Sequence, residues 1–276
     1  MSAPIVVGID GSAHAWRALD WAADRAGRRR LPLLLVHGSR ALVDEGTIPK
    51  DALRRLVAER EDLLGEARQY ASKIHPDLDI ETRLVSADPG RTLVEESERA
   101  DLVTVGSRGL GGFEGLLFGS VGLYTAAHAR CPVLVVSRSA PYPTDAPAQI
   151  VIGIEGLDDE RAFTDWAFAE AASRGSRILA LHAVGGEFSP RRRVIEDLEL
   201  SEALAGYEER YPDVPVDRLV SDRTAAKALV EASGNAALVV VGARRRRGPL
   251  AGMALGRVNH TVLHHGRCPV VVVPNS

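Results

Sequence analysis

The strongest constraint on this chain is that it is written twice. Ile5-Val6-Val7-Gly8-Ile9-Asp10-Gly11 returns 145 residues later as Ile150-Val151-Ile152-Gly153-Ile154-Glu155-Gly156. The same offset carries Asp20-Trp21-Ala22 onto Asp165-Trp166-Ala167, and His37 onto His182. Further on the offset shrinks. Leu84-Val85-Ser86 matches Leu219-Val220-Ser221, Val105-Gly106 matches Val241-Gly242, and Cys131-Pro132-Val133 matches Cys268-Pro269-Val270. Blocks matched in one order, at a domain-sized period, mark a tandem duplication rather than a solenoid. The falling offset places a loss of roughly ten residues after the second strand of copy two. The proline-rich, polar run Ser139 to Pro147 reads as a semi-stiff linker. The expected division is a first domain over 1–140, a linker over 141–148 and a second domain over 149–276.

Within copy one, apolar runs alternate with helical patterns. Strands are expected at Ile5 to Ile9, Leu33 to Val36, Ile80 to Val85, Leu102 to Val105 and Val133 to Val136. Helices are expected at Ala13 to Arg28, Lys50 to Ile74, Thr92 to Ala100 and Val121 to Ala129. Copy two repeats the strands at Ile150 to Ile154, Ile178 to Leu181, Val216 to Val220, Leu238 to Val241 and Val270 to Val273. Strands apolar throughout, separated by helices, are strands of a parallel sheet covered on both faces. Right-handed crossovers make each copy a doubly wound, five-stranded α/β domain, Rossmann-like in outline.

Composition excludes several functions. A net charge of −3 supplies no general attraction for nucleic acid or an anionic membrane. No run of about 18 apolar residues is present, so no membrane span is expected. The start, Met1-Ser2-Ala3-Pro4, lacks the basic and apolar regions of a secretory signal. Two cysteines in 276 residues fit a reducing, cytoplasmic setting.

The chemistry is expected in one loop. Gly106-Ser107-Arg108-Gly109-Leu110-Gly111-Gly112 follows the fourth strand, and Gly119-Ser120-Val121 opens the next helix. Glycines without Cβ let phosphate approach backbone N–H groups, and a helix start adds free amides and a favourable dipole. Ser120 adds a hydroxyl that can cap the helix or bond a phosphate. If strands one and four are neighbours, this loop faces Ile9-Asp10-Gly11-Ser12 across the point where strand order reverses. The pattern is not a Walker A loop, since no Gly-Lys-Ser/Thr follows. It is not the Rossmann fingerprint, which follows a first strand. By residues alone, nucleotide binding and a plain glycine-rich turn both remain open.

The spacing Gly106-x2-Gly109-x9-Gly119-Ser120 resembles the ATP-binding signature of the universal stress protein family. The strand and loop Val7 to Ser12, the strand Leu34 to His37, and Cys131 to Val136 resemble other segments of that family. The likeness covers copy one end to end and copy two in outline, as in the tandem members common in actinobacteria. It implies an adenine nucleotide alpha hydrolase-like fold, and a regulator of stress response or growth that holds ATP, with Mg²⁺ at the phosphates. It implies that Asp10 and the backbone at Gly8 and Ile9 face adenine, with Gly38 a further contact. Gly106, Ser107, Arg108, Gly109, Leu110, Gly111 and Gly112 would wrap ribose and phosphates, and Gly119, Ser120 and Val121 would hold the terminal phosphates. For Arg108, a solvated loop arginine is the competing reading.

Copy two departs from this pattern. Arg245 stands for Gly109, Arg257 for Ser120 and Glu155 for Asp10, and the loop is one residue longer. Three readings stay open: no ATP binding, a different anion site built from Arg244 to Arg247 with Arg257, or a solvated basic loop.

Other residues read as structural. Cys131 and Cys268 are expected as buried thiols, His37 and His182 as hydrogen-bonded residues at the core's edge, and Trp21 and Trp166 as packing residues. His264 and His265 are expected at the surface. No catalytic residue and no protein metal ligand can be named, so a binding protein is expected rather than an enzyme. A slow ATPase or phosphotransferase and a cyclic-nucleotide binder are the alternatives. Val133 to Val136 and Val270 to Val273 are expected as apolar edge strands through which the copies, or two chains, could pair.

Overall fold

The computed structural model describes residues 2–43, 48–109, 119–154, 161–186, 189–243 and 255–274, without the side chain of Arg161. The chain divides into two compact units, Met1–Arg138 and Ser139–Ser276.

The first unit runs β1 (Ile5–Gly8), α1 (Ala13–Arg29), β2 (Leu33–Gly38), α2 (Lys50–Ile74), β3 (Ile80–Val85), α3 (Pro89–Glu96), β4 (Leu102–Gly106), α4 (Ser120–His128) and β5 (Val133–Val136). All its strand pairs are parallel, in the order β3-β2-β1-β4-β5. The second runs β6 (Gln149–Ile154), α5 (Arg161–Arg174), β7 (Arg177–Ala183), α6 (Pro190–Arg210), β8 (Val216–Ser221), α7 (Ala225–Ala232), β9 (Leu238–Ala243), α8 (Arg257–His265) and β10 (Val270–Pro274). Its order is β8-β7-β6-β9-β10, again parallel. Each unit is therefore doubly wound, as the alternation of the sequence requires. No described helix is long and apolar enough to cross a membrane.

The central strands are apolar on both faces because both faces are covered. Ile5, Val6, Val7, Leu102 and Val103 are fully buried, as are Ile150, Val151 and Ile152 in the second unit. Helix α1 lies close on the sheet because its inner stripe is small: Ala15, Ala18, Leu19, Ala22 and Ala26 are all buried. Ser12 caps its start, accepting from the Ala15 amide at 3.1 Å. Helix α2 buries Leu64, Ala67 and Ala71, while Leu53, Leu56 and Leu63 of the expected stripe are only half-buried.

Two differences from the sequence reading have plain causes. Helix α3 begins at Pro89, not Thr92, because Asp88 accepts from the Arg91 amide at 2.9 Å and Pro89 is preset for a first helical turn. It ends at Glu96, where the Ser97 hydroxyl donates to the Val94 carbonyl at 2.6 Å. The second difference concerns register. His37 pairs with Leu84, and His182 with Val220. Leu84 thus corresponds to Val220, and the apparent match of Leu84-Val85-Ser86 to Leu219-Val220-Ser221 is off by one residue. A one-residue slip exchanges the faces of a strand. Accordingly Leu219 stands in the place of Arg83 and is 43% exposed. The shortening of copy two then falls between β7 and β8. The segment from Pro190 to Arg210 is a 21-residue helix, where the first unit has 25 residues, and the connection before it is shorter as well.

Both cysteines are free and buried, and burial pushes each thiol up to about 12. One charge is buried beneath the first sheet. Arg25, 4% exposed, reaches from α1 to Asp101 at the entry to β4, with Nη2 3.0 Å from Oδ2. At the matching position of α5 stands Glu170, which pairs with Arg174 one turn on, at 2.9 Å.

Candidate functional site

Strands β1 and β4 are neighbours, with Ile5 beside Leu102. The chain leaves β1 toward β2 and leaves β4 toward β5, on opposite sides, so the two following loops part and leave a crevice at the carboxyl ends of the strands. Asp10 Oδ1 accepts from the Ser12 amide at 2.9 Å, closing a turn in which Gly11 has φ +86°. The Ser12 hydroxyl accepts from Ala15 and donates to the Arg108 carbonyl at 3.2 Å, tying the first loop to the second.

The second loop is held from two sides. The Ser107 amide donates to the Val136 carbonyl at 2.8 Å, and the Ser107 carbonyl accepts from the Gly119 amide at 2.7 Å. Consecutive carbonyls, of Ser107 and Arg108, thus anchor the starts of α4 and α1. The first amides of both helices, at Ala13 and His14 and at Ser120 and Val121, have no acceptor within their own helix. Gly119 is the N-cap of α4 and supplies no side chain to them.

The glycines divide by what a Cβ would meet. At Gly109 it would lie 2.4 Å from Asp10 Oδ2, so the two loops touch with no room for a methyl group. At Gly106 it would lie 2.7 Å from the Cβ of His14 and 2.9 Å from the Ala15 nitrogen, which lets α1 start against the turn. At Gly119 it would lie 3.3 Å from the Arg108 Cα. Gly8 and Gly38 have packing neighbours instead: Leu93 at 3.1 Å and the Pro89 Cα at 2.8 Å. The structure therefore brings together Asp10, Gly106, Ser107, Arg108, Gly109 and Gly119, with Ser120 and Val121 next in the chain. Leu110, Gly111 and Gly112 lie outside the described residues.

Two basic residues that sequence reading passed over stand at the same place. His14 is the second residue of α1, and Arg138 follows β5 by two residues. Burial, then Arg108 and Arg138, hold the His14 imidazole below its ordinary value, with Asp10 acting in the opposite sense. Counting two residues into the helix capped by Ser12 would have found His14; Arg138 becomes visible only through the strand register. His37 Nδ1–H donates to the Ile9 carbonyl at 2.6 Å, fixing the backbone just before Asp10. Burial is also the main cause that lowers His37, followed by Arg60. Among the described residues no group of three or more His, Cys, Asp or Glu is placed to hold a metal ion.

Both histidines are thus less basic folded than unfolded. Below the ordinary value of 6.5 the unfolded chain binds more protons, so stability rises with pH through that window. The urea midpoint is expected to fall between pH of about 7.5 and about 5.5. Glutamine at His37 keeps a donor for Ile9 without titrating, and should flatten part of that slope. An equal slope in His37→Gln would assign the acid sensitivity to other groups.

The model of the Universal stress protein family matches residues 1–137 and again residues 148–274. The chain belongs to the universal stress protein family. A universal stress protein of Mycobacterium tuberculosis (strain ATCC 25618 / H37Rv) is 38% identical over 292 residues, covering 99% of this chain and 97% of its own length. Among solved structures, a universal stress protein from Archaeoglobus fulgidus DSM 4304 has a TM-score of 0.75 at 18% identity, over 100% of both chains, which speaks for the fold. A universal stress protein solved in complex with cAMP is 32% identical, covers 50% of this chain and 98% of its own, and has a TM-score of 0.39.

The second universal stress protein unit is built differently at the matching place. Arg257 is the first residue of α8, exposed, and a Cβ at the preceding Gly256 would meet nothing within 4 Å. Asn259, at the position of Gly122, is buried and donates from Nδ2 to the Gly242 carbonyl at 2.9 Å. The helix is thus tied to the strand end by a side chain. His182 repeats the bond of His37, to the Ile154 carbonyl at 2.8 Å, and its Nε2 lies 3.0 Å from Glu196 Oε2. Helix register places Arg60 at the same point of α2. Glu155 and Arg244 to Arg247 lie outside the described residues.

Proposed function

We propose that this universal stress protein is a nucleotide-dependent regulator that holds one ATP, in its first unit. One observation carries the reading. The Gly109 backbone lies so close to the Asp10 carboxylate that a Cβ would stand 2.4 Å from it, while two helix starts are pinned to the adjacent carbonyls of Ser107 and Arg108. Glycine keeps the Gly109 backbone bare at this point, and the two helix starts add amides that phosphate oxygens can take. In this reading Asp10, with the backbone of Gly8, Ile9 and Gly38, faces the adenine. Gly106 to Gly112 follow the ribose and phosphates, and Ser120 and Val121 take the terminal phosphate. Mg²⁺ enters with the phosphates rather than on protein side chains.

Binding, not turnover, is the proposed activity. Asp10, the carboxylate at the crevice, already holds the Ser12 amide, so its Oδ1 is engaged. Nucleotide held beside the starts of α1 and α4 would present an altered surface to a partner.

Calorimetric titration of the whole chain with ATP and Mg²⁺ tests the reading, with cAMP as competitor. One ATP per chain is expected, with phosphate release no faster than about 10⁻³ s⁻¹, the scale of an unassisted nucleotide hydrolase. No binding, two equivalent sites, or preferential capture of cAMP would each overturn it.

A further inference from the structure

Strands β4 and β5 pair so that Gly106 lies beside Val136. The Ser107 amide then donates to the Val136 carbonyl at 2.8 Å. Two residues beyond each partner come Arg108 and Arg138, where the chain leaves the two paired strands. The third basic group arrives from a third segment. His14 opens α1 against Gly106, with its Cβ 2.7 Å from where a Gly106 Cβ would be. After burial, Arg108 and Arg138 are the groups that lower the His14 imidazole, and Asp10 is the carboxylate that opposes them. Asp10 is in turn committed to the Ser12 amide. Basic residues from three segments thus gather beside the starts of α1 and α4, whose first amides have no acceptor within their own helix.

We propose that His14 and Arg138, together with Arg108, clamp the distal phosphates, so that the site selects ligands by phosphate count, taking nucleoside triphosphates over mono- and cyclic phosphates. This rests on the nucleotide reading above. Amides of the glycine loop serve any phosphate, whereas side-chain cations outside the loop serve charge that extends beyond the first phosphate. The second copy is the internal comparison. At the positions of His14, Arg108 and Arg138 its sequence carries Asp159, Arg244 and Asn275, whose formal charges cancel.

Arg138→Gln is the deciding variant, since Arg138 is exposed and far from the core. ATP, AMP and inorganic tripolyphosphate are titrated into the parent and the variant. ATP and tripolyphosphate are expected to weaken about 5- to 10-fold and AMP to stay unchanged, with Arg138→Lys restoring much of the loss. His14→Gln should weaken ATP more as the pH is lowered, because only the imidazolium adds charge and burial with Arg108 and Arg138 delays its formation. Equal weakening of ATP and AMP, or none, overturns the clamp. If tripolyphosphate binds with this dependence and no nucleotide does, the nucleotide reading fails and the clamp stands. If nothing binds, both fall.

Discussion

Replacing Gly109 with arginine, the residue the second copy carries there, is expected to weaken ATP binding by on the order of 100-fold or more. The cause is the new Cβ before it is the new charge. It would stand 2.4 Å from Asp10 Oδ2, so either Asp10 turns away or the loop lifts. Neither is free-standing. Asp10 holds the Ser12 amide, and Ser12 holds the Arg108 carbonyl, so a displaced carboxylate loosens both loops together. Two or more charge-assisted hydrogen bonds to phosphate are lost, each worth about 1.5–3 kcal/mol. Gly109→Ala isolates the steric part and should fall between parent and arginine variant. Ser12 also caps α1, so the melting temperature of the first unit should fall by a few degrees, far less in free energy than the affinity. Calorimetric titration and a thermal melt of the same preparations give both answers. Undiminished affinity in the arginine variant would show that phosphate does not lie along this backbone.

Asp101→Ala is expected to cost the first unit about 3 kcal/mol. Arg25 is buried beneath β1 and β4, and burial pulls its guanidinium down to about 10, an effect that Asp101 opposes. With Asp101 removed, the charge keeps its desolvation and loses the carboxylate that opposes it. Breaking a buried pair in this way costs about 3–5 kcal/mol, and the low end applies because Asp101 is 29% exposed. Scanning calorimetry should show the first unit melting about 6–12 °C lower, at 2–4 °C per kcal/mol for a domain of this size. Arg25→Met combined with Asp101→Ala should recover most of the loss, since no unpaired charge remains. An unshifted single variant would mean that water reaches the guanidinium.

The strands were legible because a parallel strand covered on both faces must be apolar along its whole length, and runs such as Val133 to Val136 have no other reading. The candidate site was legible where it lies in one continuous stretch, as at Gly106 and Gly109, whose close neighbours are His14 and Asp10. It was hidden where register assembles it. Arg138 is thirty residues from Arg108, and only the pairing of Gly106 with Val136 brings the ends of their strands together, while the contact of His14 with Gly106 comes from the packing of α1. Asp88-Pro89 was passed over because a proline reads as a break, although with a cap before it proline starts a helix. The strand match at Leu219 went astray because local identity aligns letters, whereas ladder pairing aligns faces. Gly38 shows the converse: the packing of Pro89 against it accounts for that glycine without any ligand.

The position of the shortening between β7 and β8 bears on how duplicated domains drift. That crossover serves the outermost strand of its unit, and the pairs β6 with β7 and β6 with β9 keep the same register as their counterparts in the first unit. Length can therefore change at the flank without being transmitted to the centre. The substitutions at Gly109, Ser120 and Asp10, with the one added residue of that loop, fall beyond the carboxyl ends of the central strands and leave the pairing of those strands unchanged. The outer crossover and the loops at the strand ends can therefore each vary while the central ladder of both copies is kept.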